Sequence, residues 1–341
     1  MPPAGAPPGK TPSFEQPLGA AAMERVLEDV MAGRMPQEDV ANFLRTLAQR
    51  GETAEEIAAA AGVLRRRAVP LPLPPSLEAG DTCGTGGDGL STVNVSTLAA
   101  LTAAAAGARI VKHGNRAASS RCGSADLLEA LGVNLEASPE QVARSVQELG
   151  FGFCFAPRFH PAMKAVAPVR TTLGIRTIFN LIGPLANPAR LTFQLIGVSE
   201  PRLLRPMADA LVRLGVRRGM VVHGQDGMDE ATTTGSTQVL EVRDGALREA
   251  SLDPEALGLP RARPEALKGG DTQSNARVAR EVLGGQRSPA RDLVALNAGC
   301  VLYLAGRAAT VKAGVEQAVK TLETGAPWAL MERVKDYSHA Q

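Results

Sequence analysis

The chain has 341 residues, of which 44% are hydrophobic and 21% charged, and its formal net charge is +2. This length predicts two domains of ordinary size, and this composition is typical of a globular protein that buries a substantial core. So small a net charge argues against a nucleic-acid-binding protein that relies on bulk positive charge, although it leaves room for a local basic site.

Helical patterns dominate the start of the chain. The first 17 residues are rich in Pro and Gly and predict a disordered, dispensable tail. Apolar residues then recur with helical spacing, and Thr53 with Glu56 has the pattern of a capping box. The proline-rich run 70–75 predicts a stiff connector. We therefore predict a small α-helical domain over residues 18–75.

Beyond the connector, short apolar runs alternate with amphipathic helical segments. Strand-like runs begin at Arg109, Phe151, Phe193 and Met220. Such alternation is typical of βαβ units, which form a largely parallel sheet. We therefore predict an α/β domain over residues 76–341, with a mainly parallel central sheet flanked by helices. Ligands of such sheets bind in loops beyond the carboxyl ends of the strands.

The cysteines and the apolar runs indicate the cellular compartment of the protein. The four cysteines form no C-x-x-C pair, and so long a chain does not need a disulfide framework. The first ten residues lack the apolar segment of a signal peptide. No apolar run approaches the roughly 20 residues of a transmembrane helix. We expect a soluble cytoplasmic protein with reduced thiols and no membrane partner.

Residues 84–89 form the glycine-rich run Gly-Thr-Gly-Gly-Asp-Gly. A dinucleotide-binding loop would be followed by an acid about 20 residues later, but none occurs between Asp88 and Asp126. A P-loop would need Lys-Ser/Thr after the glycines, which is also lacking. Hydroxyl and amide side chains do follow, at the start of the next predicted helix: Thr92, Asn94, Ser96 and Thr97. They favour an anion site at a helix N-terminus, but an ordinary glycine-rich turn explains the loop equally well.

A second polar segment, residues 112–124, follows a strand-like run. It combines cations, hydroxyl groups and two glycines, as phosphate recognition requires. Every charged residue between Gly89 and Ala125 is basic. A basic run alone usually means a solvated face, but the interleaved glycines and serines favour a phosphate-binding loop.

Two further segments carry candidate groups. Asp229 and Glu230 follow a strand-like run, and Mg²⁺ prefers one or two carboxylates together with substrate phosphate oxygens and water. Acidic turns after strands are common, so the pair alone fits a surface turn better. Residues 155–188 mix apolar side chains with a few cations. This mixture suits a pocket for a small aromatic acid, or equally a core helix with surface arginines.

Together these segments resemble the anthranilate phosphoribosyltransferases, the tryptophan-pathway family of the nucleoside phosphorylase and phosphoribosyltransferase superfamily. The resemblance rests on residues 84–88, 112–120 and 179–188 and on the pair at 229–230, in the family's order and approximate spacing, and it extends from about residue 20 to 330. It implies transfer of the phosphoribosyl group from 5-phosphoribosyl 1-pyrophosphate to anthranilate, giving N-(5-phosphoribosyl)anthranilate and pyrophosphate. It also implies Mg²⁺ as cofactor, and a homodimer joined through a helical domain that helices around 160–190 complete.

The resemblance also assigns residues to each ligand. Those implied to surround phosphoribosyl pyrophosphate are Gly84, Gly87, Asp88, Thr92, Asn94, Val95, Ser96, Thr97, Lys112, His113, Gly114, Asn115, Arg116, Ala117, Ala118, Ser119, Ser120 and Ser124. Those implied to contact anthranilate or its entry path are Gly84, His113, Asn115, Met163 and Arg170. Those implied to bind Mg²⁺ are Ser96, Asp229 and Glu230, and Lys112, Asp229 and Glu230 are implied in catalysis. Cys83 and Val93 replace an aliphatic residue and a Phe that are commoner in the family, and we expect altered packing there.

Two other functions fit parts of the sequence less well. A nucleoside phosphorylase of the same superfamily is expected to carry a lysine-serine version of the glycine loop, which residues 83–86 lack. A nucleic-acid-binding relative of the fold is expected to be more basic and to lose acceptor-site residues such as Asn115 and Arg170. We therefore expect small-molecule substrates and no nucleic-acid partner.

Overall fold

The computed structural model of the protein describes residues 14–117 and 121–340. Most of the predicted tail, residues 1–13, and three predicted substrate-binding residues, Ala118, Ser119 and Ser120, lie outside this part of the chain. Three helices open the described region: α1 (Ala20–Met31), α2 (Gln37–Arg50) and α3 (Ala54–Arg67).

The predicted capping box begins α3. The Glu56 N–H donates to the Thr53 hydroxyl at 3.2 Å, and the Thr53 N–H donates to the Glu56 carboxylate at 2.9 Å. Each helix contributes an apolar face to one buried cluster. The helical spacing read from the sequence is therefore confirmed.

The predicted extent of the tail is wrong at its C-terminal end. Phe14 is only 3% exposed, and its ring packs edge-on against Phe43 with 4.9 Å between the ring centroids. Its carbonyl accepts a 2.9 Å hydrogen bond from Arg50 Nε. The Pro and Gly content of residues 1–17 predicts disorder for the segment as a whole. It does not reveal that a single buried aromatic ring, that of Phe14, anchors the end of this segment.

A seven-stranded sheet forms the centre of the rest of the chain. Its strands are β1 (Gly80–Gly84), β2 (Ile110–Gly114), β3 (Phe151–Phe155), β4 (Phe193–Gly197), β5 (Arg218–Gly224), β6 (Thr237–Arg243) and β7 (Ala246–Leu252). Their order across the sheet is β3-β2-β1-β4-β5-β6-β7. Strands β1 to β5 pair in parallel, and β6 and β7 add an antiparallel hairpin at one edge. The mainly parallel sheet is confirmed.

Helices cover both faces of this sheet. They are α4 (Val95–Ala105), α5 (Ser124–Ala130), α6 (Pro139–Leu149), α7 (Ala156–Phe159), α8 (Ala167–Leu173), α9 (Ile178–Ile182), α10 (Leu204–Arg213), α11 (Thr272–Leu283), α12 (Pro289–Leu304), α13 (Val311–Glu323) and α14 (Ala326–His339). Short 3₁₀ turns span Pro161–Ala165, Pro201–Leu203 and Pro264–Leu267. In the described part of the chain, no helix is both long and apolar enough to cross a membrane.

Side chains alternate between the two faces, as the pleat of a strand requires. Leu195 and Met220 face a core built with α4, α11 and α12, whereas Ile196 and Val221 face a core shared with α10 and the N-terminal helices. Helices α8 and α9 pack against α2 and α3 in this second core. Helices α8 and α9, from the segment around 160–190, therefore form one helical layer with α1, α2 and α3. The domain boundary at residue 75 stays a prediction.

Candidate active site

The candidate site lies where the central strands end. Strand β1 is the point at which the strand order reverses, because the chain continues to β2 on one side of it and to β4 on the other. In sheets of this kind the crevice beyond such a point receives the ligand. Gly84 and Gly197 are paired at the last position of β1 and β4, so two glycines form the floor of the crevice.

Asp229 lies directly over these two glycines. A Cβ atom on Gly84 would lie 2.1 Å from Asp229 Oδ2, and one on Gly197 would lie 1.6 Å from the Asp229 carbonyl oxygen. Asp229 Oδ2 also accepts a 2.6 Å hydrogen bond from the Gly86 N–H. The absence of side chains at the strand ends thus lets the acidic loop after β5 contact the glycine loop after β1.

The carboxylates in this crevice repel one another. Burial raises the pKa of Asp229 to about 7, and the neighbouring Asp88 carboxylate contributes to that rise. Burial, followed by the charge of Asp229, raises the pKa of Glu230 well above its ordinary value, against the Ser96 N–H, which donates to Glu230. A cation would relieve this repulsion, so the donor set suits Mg²⁺. No group of three or more acidic, His or Cys side chains in the described residues forms a metal site by itself.

Lys112, the middle residue of β2, places a buried positive charge near the crevice. The residue is 2% exposed, and its Nζ donates to the His113 carbonyl at 3.2 Å. It forms no direct salt bridge with any residue that the structure describes, although its charge opposes the rise in the pKa of the buried Asp81 and Glu230. A buried ammonium group without a direct ionic contact is costly, and an anionic ligand would provide that contact.

Two buried residues that the sequence analysis missed hold this strand end in place. Asp81, at 0% exposure in β1, accepts from the His113 N–H at 3.2 Å and from Asn187 Nδ2 at 2.9 Å. Asn187 Nδ2 also donates to the Val111 carbonyl at 2.7 Å. Burial raises the pKa of Asp81 to about 6. The signal available in the sequence was the position of Asp81, an acidic residue three positions before Gly84.

The glycine loop and the N-terminal turn of α4 carry polar atoms without partners among the described residues. Asn94 Nδ2 donates to the Cys122 carbonyl at 3.0 Å, but Asn94 Oδ1 and the Thr97 and Thr85 hydroxyl oxygens are buried with no hydrogen bond in the described residues. Buried polar groups without a partner are uncommon, and contact with a bound ligand is one way to satisfy them. Val95 begins the helix, and Thr92 bridges to Lys268.

The loop after β2 is fixed mainly by acids. Asp126 accepts from the Ala117 N–H at 2.8 Å and from the Gly123 N–H at 2.9 Å. Arg116 is paired with Glu129 at 2.6 Å and with Asp126 at 3.2 Å. Its charge is therefore already balanced, and its contact with substrate stays a prediction.

The start of the same loop packs closely on α5. Ser124 Oγ donates to the Asn115 carbonyl at 3.3 Å, and a Cβ atom on Gly114 would lie 2.1 Å from that hydroxyl. These contacts bring Gly114, Asn115 and Ser124 together as the sequence analysis grouped them.

The predicted acceptor residues lie on the helical side of the site. The His113 and His160 rings pack edge-on, 5.1 Å apart, and the Met163 N–H donates to the His160 carbonyl at 3.0 Å. Burial lowers the pKa of His113 to about 3 and that of His160 to about 4, so both rings are neutral near pH 7. His160 thus connects His113, through the ring contact, to the 3₁₀ turn that carries Met163, through the backbone hydrogen bond.

Arg170, on α8, is half-buried. Its Cζ lies 5.4 Å from the centroid of the Phe179 ring, and burial lowers its pKa. No acidic side chain in the described residues pairs with it. Within the same part of the chain, no hydrogen bond joins it to Asn115, so the structure does not bring these two predicted acceptor residues into direct contact.

Arg176 is a second cation that the sequence analysis quoted without a role. It lies between α8 and α9, yet its Nη1 donates to the Gly86 carbonyl at 2.6 Å and to Ser199 Oγ at 3.0 Å. It thereby connects the helical layer with the loops after β1 and β4. Local sequence patterns contained no signal for a contact across 90 positions.

Comparison with known proteins places the chain among enzymes. A family model described as "Glycosyl transferase family, helical bundle domain" matches residues 13–68, and one described as "Glycosyl transferase family, a/b domain" matches residues 77–328. An anthranilate phosphoribosyltransferase of Rubrobacter xylanophilus is 51% identical over 319 residues, which is 93% of each chain. Another, of Methanocorpusculum labreanum, is 50% identical over 88% of each chain.

Solved structures show the same architecture. The anthranilate phosphoribosyltransferase of Thermus thermophilus superposes with a TM-score of 0.91 at 49% identity, covering 96% of this chain and 98% of that one. The Saccharomyces cerevisiae enzyme in complex with PRPP and Mg superposes with a TM-score of 0.86 at 28% identity, covering 94% and 93%. The same yeast enzyme with 4-fluoroanthranilate gives 0.84 at 27% identity over the same shares.

Proposed function

The chain belongs to the anthranilate phosphoribosyltransferase family, and we propose that the crevice between β1 and β4 is where it transfers the phosphoribosyl group to anthranilate. The reaction consumes 5-phosphoribosyl 1-pyrophosphate and anthranilate and yields N-(5-phosphoribosyl)anthranilate and pyrophosphate. Breaking the bond from ribose C1 to pyrophosphate leaves positive charge on the sugar and negative charge on the leaving group. The protein must therefore stabilise separated charges and hold the amine close to C1.

The observation that carries this proposal is the buried Lys112 ammonium, which forms no direct salt bridge with the described residues. It is 2% exposed, and it lies in β2 two residues before the carboxyl end of the strand, the edge of the sheet at which the glycine loop follows β1. The Gly87 N–H and the N-terminal turn of α4 add donors at that edge. We assign the pyrophosphate to these groups, because an anionic leaving group satisfies both the cation and the backbone donors.

Three residues of this chain fit a magnesium ion. Ser96, Asp229 and Glu230 would hold it, and a bound Mg²⁺ supplies positive charge against the leaving pyrophosphate. The raised pKa values of the two acids support this assignment, since carboxylates that repel one another have a high affinity for a divalent cation.

Arg170 is assigned to the carboxylate of anthranilate. Its guanidinium is half-buried beside Phe179 and pairs with no acid in the described residues. A guanidinium fork matches a carboxylate with two parallel hydrogen bonds. The amine of anthranilate is neutral near pH 7 and nucleophilic as it stands, so the neutral His113 and His160 need not act as bases.

A fluorescence assay tests the proposed function. Protein, Mg²⁺, phosphoribosyl pyrophosphate and anthranilate are mixed, and the loss of anthranilate fluorescence is followed. We expect the loss to require both the donor and the metal, and benzoate to inhibit without being consumed because it lacks the amine. Fluorescence that stays constant with folded protein would exclude the proposed reaction.

Two properties of the assembly complete the proposal. We infer a homodimer joined through the helical layer. The family resemblance supports this inference, and Ile175 beside α8, a large apolar side chain that is 46% exposed in the described structure, would be covered by such an interface. Light scattering after gel filtration tests it, and a monomer in solution would reject it. We also infer a cytoplasmic location, which four buried cysteines outside any disulfide support, and cell fractionation tests that.

A further inference from the structure

Arg176 contacts the glycine loop at Gly86 and Gly87, two adjacent glycines whose backbone has more conformational freedom than that of other residues. Gly86 and Gly87 both have left-handed backbone conformations, with φ of +69° and +80°. Two adjacent glycines allow the peptide between them to rotate with little steric resistance. Unless something holds it, that peptide can present either its carbonyl or its N–H to a ligand.

Arg176 fixes one of these two orientations. Its Nη1 donates to the Gly86 carbonyl at 2.6 Å, and the same atom donates to Ser199 Oγ at 3.0 Å. In a planar trans peptide the carbonyl and the following N–H point in opposite directions, and the described chain contains no cis peptide bond. The Gly87 N–H therefore points away from Arg176, and no described group accepts a hydrogen bond from it.

Packing around Gly87 shows how closely the guanidinium supports the loop. A Cβ atom on Gly87 would lie 2.1 Å from Arg176 Nη1. The neighbouring Gly86 N–H donates to Asp229 Oδ2 at 2.6 Å. Gly86 is thus held at its N–H by an acid and at its carbonyl by a cation, and the Gly87 N–H is left as a donor for a ligand.

We propose that Arg176 is a positioning residue that holds the Gly86–Gly87 peptide so that the Gly87 N–H faces the substrate pyrophosphate. The identity of this anion rests on the proposed function. Arg176 acts through the peptide and not by its own contact with the anion. Losing it frees the peptide to rotate, which turns a carbonyl dipole toward a phosphate and weakens binding.

The test compares binding of magnesium pyrophosphate with binding of anthranilate, each by calorimetry. We expect Arg176→Ala to weaken pyrophosphate binding roughly tenfold or more and to change anthranilate binding by less than about twofold. Arg176→Lys should recover part of the loss, because one ammonium can still donate to the Gly86 carbonyl. Ser199→Ala, which removes only the second anchor, should weaken pyrophosphate binding by a smaller factor. Arg202→Ala is the matched control, since that nearby arginine is exposed and pairs only with Glu200 among the described residues.

A second readout separates positioning from general stability. In protein labelled with ¹⁵N-glycine, the Gly87 amide resonance should shift on adding pyrophosphate to the wild type, and it should broaden or split in the Arg176→Lys and Ser199→Ala variants. Arg176→Ala with wild-type pyrophosphate affinity, or equal loss of both ligands, would overturn the inference. So would a Gly87 resonance that is unchanged in all variants. Wild type that binds pyrophosphate but does not consume anthranilate would instead count against the proposed function and leave Arg176 in its role.

Discussion

The N–H of Gly86 donates a 2.6 Å hydrogen bond to the carboxylate of Asp229, a residue 143 positions further along the chain. The bond joins the loop after β1 to the loop after β5. It also places a proposed metal ligand against the loop proposed to hold pyrophosphate, so changes at either residue should be felt by the same substrate.

The acidic pair gives the first prediction. In the double variant Asp229→Asn, Glu230→Gln the side chains keep their shape, and the amide introduced at position 229 retains an oxygen for the Gly86 N–H. We expect kcat/KM to fall by about 10²–10³-fold, because charge against the leaving group is lost, and half-maximal activity to require more Mg²⁺. Magnesium titrations of the initial rate measure both. Glu249→Gln, on the exposed edge strand, is the control. A double variant with wild-type dependence on Mg²⁺ would show that the pair does not bind the metal.

Arg170 gives the second prediction. Arg170→Ala should raise the KM for anthranilate about tenfold or more, since a lost hydrogen bond to a charged group costs about 1.5–3 kcal/mol. The KM for phosphoribosyl pyrophosphate should barely change. Arg170→Lys should restore part of the loss because it keeps the charge but not the fork. Initial rates over both substrates separate the effects, with Arg202→Ala as control. Equal effects on the two substrates would remove Arg170 from the acceptor site.

Phe14 gives the third prediction, which concerns stability. Phe14→Ala should lower the free energy of unfolding by about 3 kcal/mol, because it empties a buried aromatic site against Phe43. Phe14→Leu should cost less, and Glu15→Ala, at an exposed neighbour, should stay within about 0.5 kcal/mol. Urea unfolding measures all three. If Phe14→Ala unfolded at the wild-type midpoint with the wild-type slope, residue 14 would belong to a dispensable tail after all.

Glu56 gives the fourth prediction, on pH. Its carboxylate is fully buried and accepts from the Leu18 N–H at 2.8 Å, from the Thr53 N–H and from Arg50. Burial alone would raise the pKa of Glu56, but the hydrogen bonds from Arg50, Thr53 and Leu18 outweigh it and lower the pKa below 4.5. The stability from this carboxylate is therefore fully present above the unfolded-state pKa. It is lost as pH falls through the lowered folded value.

Thermal unfolding from pH 7 to pH 3 checks this expectation. The difference in melting temperature between wild type and Glu56→Gln should be largest near neutral pH and should shrink below about pH 4.5. Glu316→Gln, at an exposed position of α13, should follow the wild type throughout. A Glu56→Gln curve parallel to that of the wild type down to pH 3 would show that this carboxylate does not couple folding to pH.

The sequence predicted the local features well. Capping residues such as Thr53 act within one turn, and apolar periodicity depends on near neighbours, so the helical start and β2 to β5 could be recognised. Strand β1 escaped notice because it buries the polar Asp81 and Thr82 instead of an apolar run. The hairpin of β6 and β7 escaped too, although the turn residues Asp244 and Gly245, both at positive φ, carry a recognisable hairpin signal.

Contacts between distant segments could not be predicted from local patterns. Nothing in the spacing shows that Arg176 reaches the Gly86 carbonyl, or that Asp81 fixes the end of β2 through His113. These contacts exist because the fold brings the segment between α8 and α9 against the glycine loop and places β1 beside β2, whatever the separation along the chain. The family resemblance named the substrates, the metal and the binding residues that are proposed for the site. The structure identified the residues that hold the loops of the site in place.

The most direct test of the proposed function is the balance of the reaction itself. Purified protein is incubated with Mg²⁺, phosphoribosyl pyrophosphate and anthranilate, and ³¹P resonances of pyrophosphate and of the ribose 5-phosphate group are followed while anthranilate is measured in the same tube. We expect one pyrophosphate and one N-(5-phosphoribosyl)anthranilate for each anthranilate consumed, and no turnover when the metal is chelated. Pyrophosphate released without loss of anthranilate, or a mixture that stays unchanged, would contradict the proposed reaction.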